Sequence, residues 1–155
     1  MGGPAAIEAA AIVGVRERPR RRYFRHAGSV RANVIREAGQ IVGYVTLSAG
    51  QIESAAQPRP FQRNKPDPVP ATLLGQLAIH KDHQGKGYAR SLLLFALRAA
   101  LRASHTVGSF GVFTHPLDDS ARGFYARWGF QDLPFDPRRA MIVRMADLER
   151  NGLGL

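Results

Sequence analysis

The run "TLLGQLAIHKDHQGKGYARSLLLFALRAALRAS", residues 72–104, constrains the fold more than any other part of the chain. It opens as an aliphatic, β-branched segment of strand length and crosses a polar turn. It then continues as good helix formers to Ser104. Leu92, Leu93, Ala96, Ala99, Ala100 and Ala103 recur at spacings of three and four, which predicts one apolar helical stripe. Arg98 and Arg102 fall on another face. "TLLGQLAIH" reads as a buried strand. A strand, a turn and a helix in this order belong to a mixed α/β domain.

The turn contains Gly85 and Gly87, separated by Lys86. Glycine just ahead of a helix lets the backbone take a left-handed conformation, or lets another group approach closely, and that group is most often a phosphate. A nucleoside triphosphate loop requires G-x-x-x-x-G-K-[ST]. Here Lys86 precedes Gly87 and Tyr88 follows it, so that motif fails. A dinucleotide fingerprint fits Gly85 and Gly87 but finds Arg90 in its third glycine position. The turn amides and the helix dipole still make an anion site, supplemented by Lys86. A plain strand-to-helix turn with glycine at positive φ accounts for the same residues, and both readings stand at this level.

The flanking sequence supplies the rest of the α/β order. "VRANVIRE" and "QIVGYVTLSAG" read as two strands of a hairpin with its turn near Glu37–Gln40. Residues 51–71 contain Pro58, Pro60, Pro66, Pro68 and Pro70 and read as a long loop, a class of loop that is often functional. "VGSFGVFTH" is a further strand. "DDSARGFYARWGF" is a short helix with Asp118 or Asp119 as its cap and Gly129 at its end. "GFQDLPF" and "AMIVRMADL" read as two closing strands. Residues 1–15 are small and apolar and predict a loose start. The expected organisation is a basic N-terminal segment over 1–28, one domain over 29–150 and a tail over 151–155.

Charge and composition bound the partners. The chain has 155 residues, a prior for one domain, and a net charge of +10. That balance suits nucleic acid, a membrane surface or an acidic cofactor. An arginine-rich composition produces basic proteins without any such partner as well. Arg16, Arg18, Arg20, Arg21, Arg22 and Arg25 form one basic cluster, and Arg59, Arg63 and Lys65 another; each is a phosphate-contact candidate or a solvated charge run. There is no cysteine, so disulfides and thiolate metal sites are excluded, and no metal site is expected. No apolar run reaches transmembrane length. The N-terminus is apolar first and basic afterwards, the reverse of a secretory signal, and a cytoplasmic location is expected.

"LAIHKDHQGKGYARSLL" resembles the acetyl-coenzyme A signature of the GNAT N-acetyltransferases, [QR]-x-x-G-x-[GA] after a strand. Gln84, Gly87 and Ala89 match its fixed positions. "DDSARGFYARWGF" is similar to the family's second signature, and the two occur in the family's order with one strand between them. The resemblance covers roughly Val30 to Leu148. It implies a mostly antiparallel central sheet splayed between two middle strands, with helices on both faces. The pieces "PDPVP" and "DPRRAM" narrow the resemblance to the GNAT toxins of bacterial toxin–antitoxin pairs, which acetylate the α-amino group of aminoacyl-tRNA. Gln76 stands where those toxins usually carry arginine, and His80 where they usually carry aspartate. Residues 1–28 lack their opening helices.

The resemblance implies acetyl-CoA as the donor. The pantetheine arm would pair with the backbone of Leu77, Ala78 and Ile79. Gln84, Gly85, Lys86, Gly87, Tyr88 and Ala89 would take the pyrophosphate. Asp118 stands where many members carry an asparagine that touches the cofactor. Tyr125 occupies the family's general-acid position: a tyrosine, neutral at pH 7, can protonate the departing thiolate. Tyr125 also shares a helical stripe with Ala121, Phe124 and Trp128, which by itself marks a core residue. An α-amine titrates near pH 8, so a useful fraction is neutral at pH 7 without a strong base, whereas lysine near 10.4 needs one. The core strands offer only His80 and His115 as bases. This favours an α-amine over a lysine as the acceptor, and the resemblance implies aminoacyl-tRNA, with Arg20, Arg21, Arg22, Arg25, Arg63 and Lys65 as candidate phosphate contacts. A ribbon-helix-helix antitoxin and a second copy of the chain are the further partners the resemblance suggests. A small-molecule amine or a protein N-terminus is the alternative acceptor. A non-catalytic basic binding module is the alternative of another class.

Overall fold

A computed structural model of the chain describes the backbone of residues 7–10 and the whole of residues 30–152. These divide into two compact units. One holds residues 7–10, 30–48 and 74–96, the other residues 49–73 and 97–152.

The first unit is built on strands β1 (Ile7–Ala10), β2 (Val30–Glu37) and β3 (Gln40–Ile52) with the second half of β4 (Val69–Ile79). β2 and β3 form the expected hairpin, with Val30 opposite Ser48 and Glu37 opposite Gln40. Its two turn residues, Ala38 and Gly39, have φ of 50° and 79°. Positive φ at both is the turn whose twist matches a right-twisted hairpin. Residues 1–15 are not a wholly loose start: Ile7–Ala10 pairs antiparallel with β2, from Ile7 opposite Ile35 to Ala10 opposite Ala32. The β-branched face of β2 supplies an edge that this short apolar segment completes. Gly43 lies where a β-carbon would stand 2.6 Å from the end of the Ile79 side chain and 3.0 Å from the Ala78 carbonyl, so β3 and β4 approach closely here and a larger residue would have to displace Ile79.

β4 is a strand, as expected, but it is not buried along its length. Val69, Ala71 and Leu74 are buried, whereas Gly75 and Ala78 are exposed. An apolar run does not distinguish a strand covered on every side from one with an open stretch.

The second unit holds the start of β4, then β5 (Gly111–Thr114), β6 (Gln131–Asp132) and β7 (Met141–Arg144), in hydrogen-bonded order β4-β5-β7-β6. β4 and β5 run parallel, with Thr72 opposite Val112 and Leu73 opposite Phe113. The β1–β2, β2–β3, β5–β7 and β6–β7 pairs are antiparallel. Among the described pairs only β4–β5 is parallel, and the mixed, mostly antiparallel sheet agrees with the fold the resemblance implied. Ile52, Ala56, Ala71, Phe113, Leu133, Ala140 and Ile142 form this unit's core cluster, with Leu73 and Phe110 against it.

Three expectations are corrected here. The "AMIVRMADL" stretch is β7 followed by a helix, α3 (Met145–Arg150), because Arg144 and Asp147 pair at 2.8 and 2.9 Å and place an acidic residue in the helix's first turn. "GFQDLPF" contributes only the two residues of β6, since Pro134 has no N–H for a ladder. The proline-rich segment is not structureless. It forms 3₁₀ turns at Ser54–Ala56 and Arg59–Phe61, and Asp67 accepts a 3.0 Å bond from the Ser54 amide.

The long helix α1 runs from Tyr88 to Ser104. Its buried residues are Leu92, Leu93, Ala96, Leu97, Ala100 and Leu101, while Ala99 is half-buried and Ala103 exposed. The stripe is thus rotated from the alanine-weighted one: the larger leucines take the core and alanine tolerates either side.

Gly111 carries the tightest backbone approach in the second unit. A β-carbon there would overlap the Val143 carbonyl oxygen and lie 3.1 Å from the Arg144 Cα. Neither atom belongs to a flexible side chain. Gly111→Ala should therefore lower unfolding free energy by about 3 kcal/mol, at the upper end of overpacking effects, as read by urea denaturation.

Candidate functional site

The turn between β4 and α1 is built from local hydrogen bonds. The His80 amide donates to the Val42 carbonyl at 2.7 Å, and His80 Nδ1 accepts from the Asp82 amide at 3.2 Å. Residues Lys81–His83 form one 3₁₀ turn. Gln84 Nε2 then donates to the Ile79 carbonyl at 3.3 Å. His80 is exposed and serves this cap, a structural task.

Gly85 and Gly87 have φ of 80° and 82°, and no atom lies within 4 Å of a β-carbon placed on either. Glycine is thus required twice by the backbone, and the space beside both is open. α1 starts immediately afterwards, at Tyr88. The amides of its first turn have no helical carbonyl ahead of them and carry the positive end of the helix dipole. An open turn leading into the amide-bearing start of a 17-residue helix suits an anionic diphosphate. Leu77, Ala78 and Ile79 are the last residues of β4; Ala78 is exposed and the other two are half-buried.

Lys86 does not reach outward to supplement that site. Its ammonium sits 3.3 Å from both carboxylate oxygens of Glu37, the last residue of β2. The same carboxylate accepts from the Tyr88 hydroxyl at 2.8 Å and lies 2.9 Å from His83 Nδ1. The Tyr88 bond foremost, with Lys86 and His83 and against the effect of burial, holds the Glu37 carboxyl below its usual range. The same bond pushes the Tyr88 phenol upward, so it stays protonated. Sequence reasoning missed Glu37. Its signal was present only jointly, in a hairpin turn and a glycine turn that both flank neighbouring strands.

The second unit holds Tyr125 and Asp118. Helix α2 (Asp119–Ala126) is capped by Asp118, whose carboxylate accepts from the Ala121 amide at 2.8 Å. That carboxylate is engaged at the helix start, as the capping pattern predicted. Tyr125 is 6% exposed, between Phe124 and Phe130 at ring separations of 5.3 and 5.2 Å. Its hydroxyl bonds to Thr114, at the end of β5. Burial raises its pKa, with the Thr114 bond opposing. The phenol therefore stays protonated through neutral pH, the form a proton donor needs. Tyr125 is packed as the helical stripe required, and its chemistry still suits an acid. His115 is half-buried and edge-on to Phe113, and burial foremost, then the Arg138 charge, lowers its pKa. It is held neutral, and it is a weaker base than free imidazole.

The basic candidates separate. Arg16, Arg18, Arg20, Arg21, Arg22 and Arg25 lie outside the described residues. Arg63 is exposed. Lys65 turns inward: its ammonium lies 3.7 Å from the Phe110 ring centre and 5.3 Å from that of Phe61. Burial foremost, then the charge of Arg144, lowers its pKa. The Arg144 guanidinium sits over the same Phe61 ring at 4.9 Å. Lys65 is a packed cation on aromatic faces rather than a projecting phosphate contact. Among the described residues no group of three or more His, Cys, Asp or Glu could hold a metal ion, and no helix is long and apolar enough to cross a membrane.

Comparison with known proteins agrees with this geometry. The family described as Acetyltransferase (GNAT) domain matches residues 23–132. The chain is 35% identical over 116 residues to a tRNA-acetylating toxin of Mycobacterium tuberculosis (strain ATCC 25618 / H37Rv), covering 75% of this chain and 70% of that one. Its fold is similar to AtaT complexed with acetyl-methionyl-tRNAfMet, with a TM-score of 0.73 and 31% identity, covering 79% of this chain and 75% of that one. It is also similar to a tyrosine-to-phenylalanine mutant of AtaT bound to the C-terminus of the antitoxin AtaR and acetyl-CoA. There the TM-score is 0.66 at 28% identity, covering 79% and 72% of the two chains. With a two-glycine turn opening α1, a buried protonated tyrosine on α2 and a family match across most of its length, the chain belongs to the GNAT acetyltransferases.

Proposed function

We propose that this acetyltransferase transfers the acetyl group of acetyl-CoA to the α-amino group of aminoacyl-tRNA and so blocks translation. The observation that carries the reading is the open pair of left-handed glycines at the start of α1, in a chain 35% identical to a tRNA-acetylating toxin. Acetyl-CoA supplies a thioester when bound. The backbone amides of Gln84–Ala89 would hold its pyrophosphate, and the backbone of Leu77, Ala78 and Ile79 would align its pantetheine arm. Asp118, whose carboxylate caps α2, would touch the cofactor. Tyr125 would give its phenolic proton to the departing sulfur.

The scarcity of bases favours an α-amine over a lysine side chain, and the likeness to a tRNA-acetylating toxin supports aminoacyl-tRNA among α-amines. His80 is occupied by a cap, and His115 is held neutral with a weakened basicity. An α-amine needs no strong base near pH 7, and an ε-amine does. Arg63 and the cluster Arg20, Arg21, Arg22 and Arg25 would contact tRNA phosphates. Such an enzyme works where charged tRNA is, in the cytoplasm. A ribbon-helix-helix antitoxin would be one partner, in keeping with the antitoxin bound by the similar AtaT, and a second copy of the chain another.

Acceptor competition tests the reading. With radiolabelled acetyl-CoA, label should pass to charged tRNA and leave uncharged tRNA and lysine-rich peptides blank. The rate should fall steeply between about 50 and 200 mM salt, because several phosphates are neutralised on binding. Neutralising Arg20, Arg21 and Arg22 together should flatten that dependence. Salt-insensitive labelling of peptides or small amines would move the assignment to those acceptors. Cofactor binding with no transfer to any amine would leave a binding module.

A further inference from the structure

We propose that Glu37 is a positioning residue for acetyl-CoA: it ties the β2–β3 hairpin to the Gly85–Gly87 turn and sets that turn's shape before the donor arrives. The inference rests on reading the turn as the pyrophosphate cradle. One carboxylate gathers three side chains that bracket the two glycines, His83 at 2.9 Å, Lys86 at 3.3 Å and Tyr88 at 2.8 Å.

The turn needs such a tie. Two glycines at positive φ are the most mobile backbone positions a loop can have, and fixing them costs conformational entropy. Apart from their chain neighbours, no residue comes within 4 Å of either β-carbon position to hold them by packing. The bonds from Glu37 reach His83, two residues ahead of Gly85, Lys86 between the glycines and Tyr88 directly after them. The carboxylate itself occupies the end of a paired strand, where Glu37 stands opposite Gln40 across the turn. It adds a long-range anchor to a turn otherwise held by local hydrogen bonds such as Gln84 to the Ile79 carbonyl and Ser91 to the Gly87 carbonyl.

The charge arrangement has a second consequence. A free carboxylate near a diphosphate site would repel it. Here the Lys86 ammonium neutralises that carboxylate, so backbone amides face the ligand without an opposing anion. Lys86 therefore acts on the donor indirectly, through Glu37. A direct lysine–phosphate bridge would predict the opposite response to mutation, since removing Glu37 would release Lys86 to the ligand.

The experiment compares two donors on the intact protein: acetyl-CoA, and acetyl-pantetheine, which has the same thioester and no pyrophosphate. Glu37→Ala should raise the KM for acetyl-CoA roughly three- to tenfold, the scale of losing hydrogen bonds to a charged group that is partly exposed. It should leave kcat, the KM for the acceptor and turnover of acetyl-pantetheine unchanged. Glu37→Gln keeps an acceptor for Tyr88 and loses the ion pair, so its rise should be intermediate. It also serves if the alanine variant does not fold. Equal losses with both donors would make Glu37 a general structural residue. An unchanged or lowered KM for acetyl-CoA would mean that Lys86 meets the phosphate directly. Either result overturns the proposal. Gly87→Glu separates the layers. If it blocks acetyl-CoA while Glu37→Ala is silent, only the positioning role fails; if it leaves acetyl-CoA binding intact, the cradle reading itself fails.

Discussion

Gly87→Glu is expected to abolish acetyl-CoA binding and leave the protein folded. Nothing lies within 4 Å of a β-carbon at position 87, so the free protein has room for the new side chain. The cost to folding is the left-handed backbone at φ 82°, on the order of 1–2 kcal/mol for a residue with a β-carbon. The cost to the ligand is larger. The glutamate stem would fill the space the glycine leaves open, and its carboxylate would face the pyrophosphate at the positive end of the α1 dipole. In calorimetry the wild type should bind acetyl-CoA and show a raised melting temperature, because a ligand of the native state alone stabilises it by mass action. The variant should show neither. Wild type unbound at millimolar acetyl-CoA would remove the assignment of the site.

Tyr125→Phe should lose about 10²–10⁴-fold in kcat, the range for removing a positioned general acid, with little change in KM for acetyl-CoA. The ring contacts with Phe124 and Phe130 survive the substitution. What folding loses is the hydroxyl's bond to Thr114, which is 2% exposed, so stability should fall by about 1 kcal/mol. The direction of the pKa shift adds a second readout. Because burial raises the phenol, the donor form persists through neutral pH, and wild-type kcat should not decline from loss of this proton until strongly alkaline conditions. Near-normal turnover in the variant would make Tyr125 a core residue only.

The strand-turn-helix segment was legible because three independent signals coincide in it: aliphatic periodicity, two glycines and a run of helix formers. The hairpin was legible because two β-branched or alternating runs flank a short Ala-Gly turn, and Ala38 and Gly39 have the left-handed geometry that such a turn requires. Other features were hidden because their cause lies at long range in the chain. Glu37 meets Tyr88 across 51 residues, and no local pattern marks an acid at a strand end as an anchor. Lys65 looked like a phosphate contact until Phe61 and Phe110 were seen beneath it. "AMIVRMADL" is apolar enough for a strand throughout, and the Arg144–Asp147 pair decides that its second half is helical. Tyr125 was ambiguous between core and chemistry, and the structure makes it both buried and protonated.

The most direct measurement of the central claim is the chemical identity of the product. Charged tRNA is incubated with acetyl-CoA and this protein, the RNA is digested with nuclease, and the terminal aminoacyl-adenosine is analysed by mass spectrometry. A single acetyl group on the α-nitrogen of the aminoacyl moiety is expected, formed by the wild type and strongly reduced with Tyr125→Phe. Aminoacyl-adenosine that stays unacetylated, under conditions where the protein binds acetyl-CoA and acetylates another amine, would contradict it.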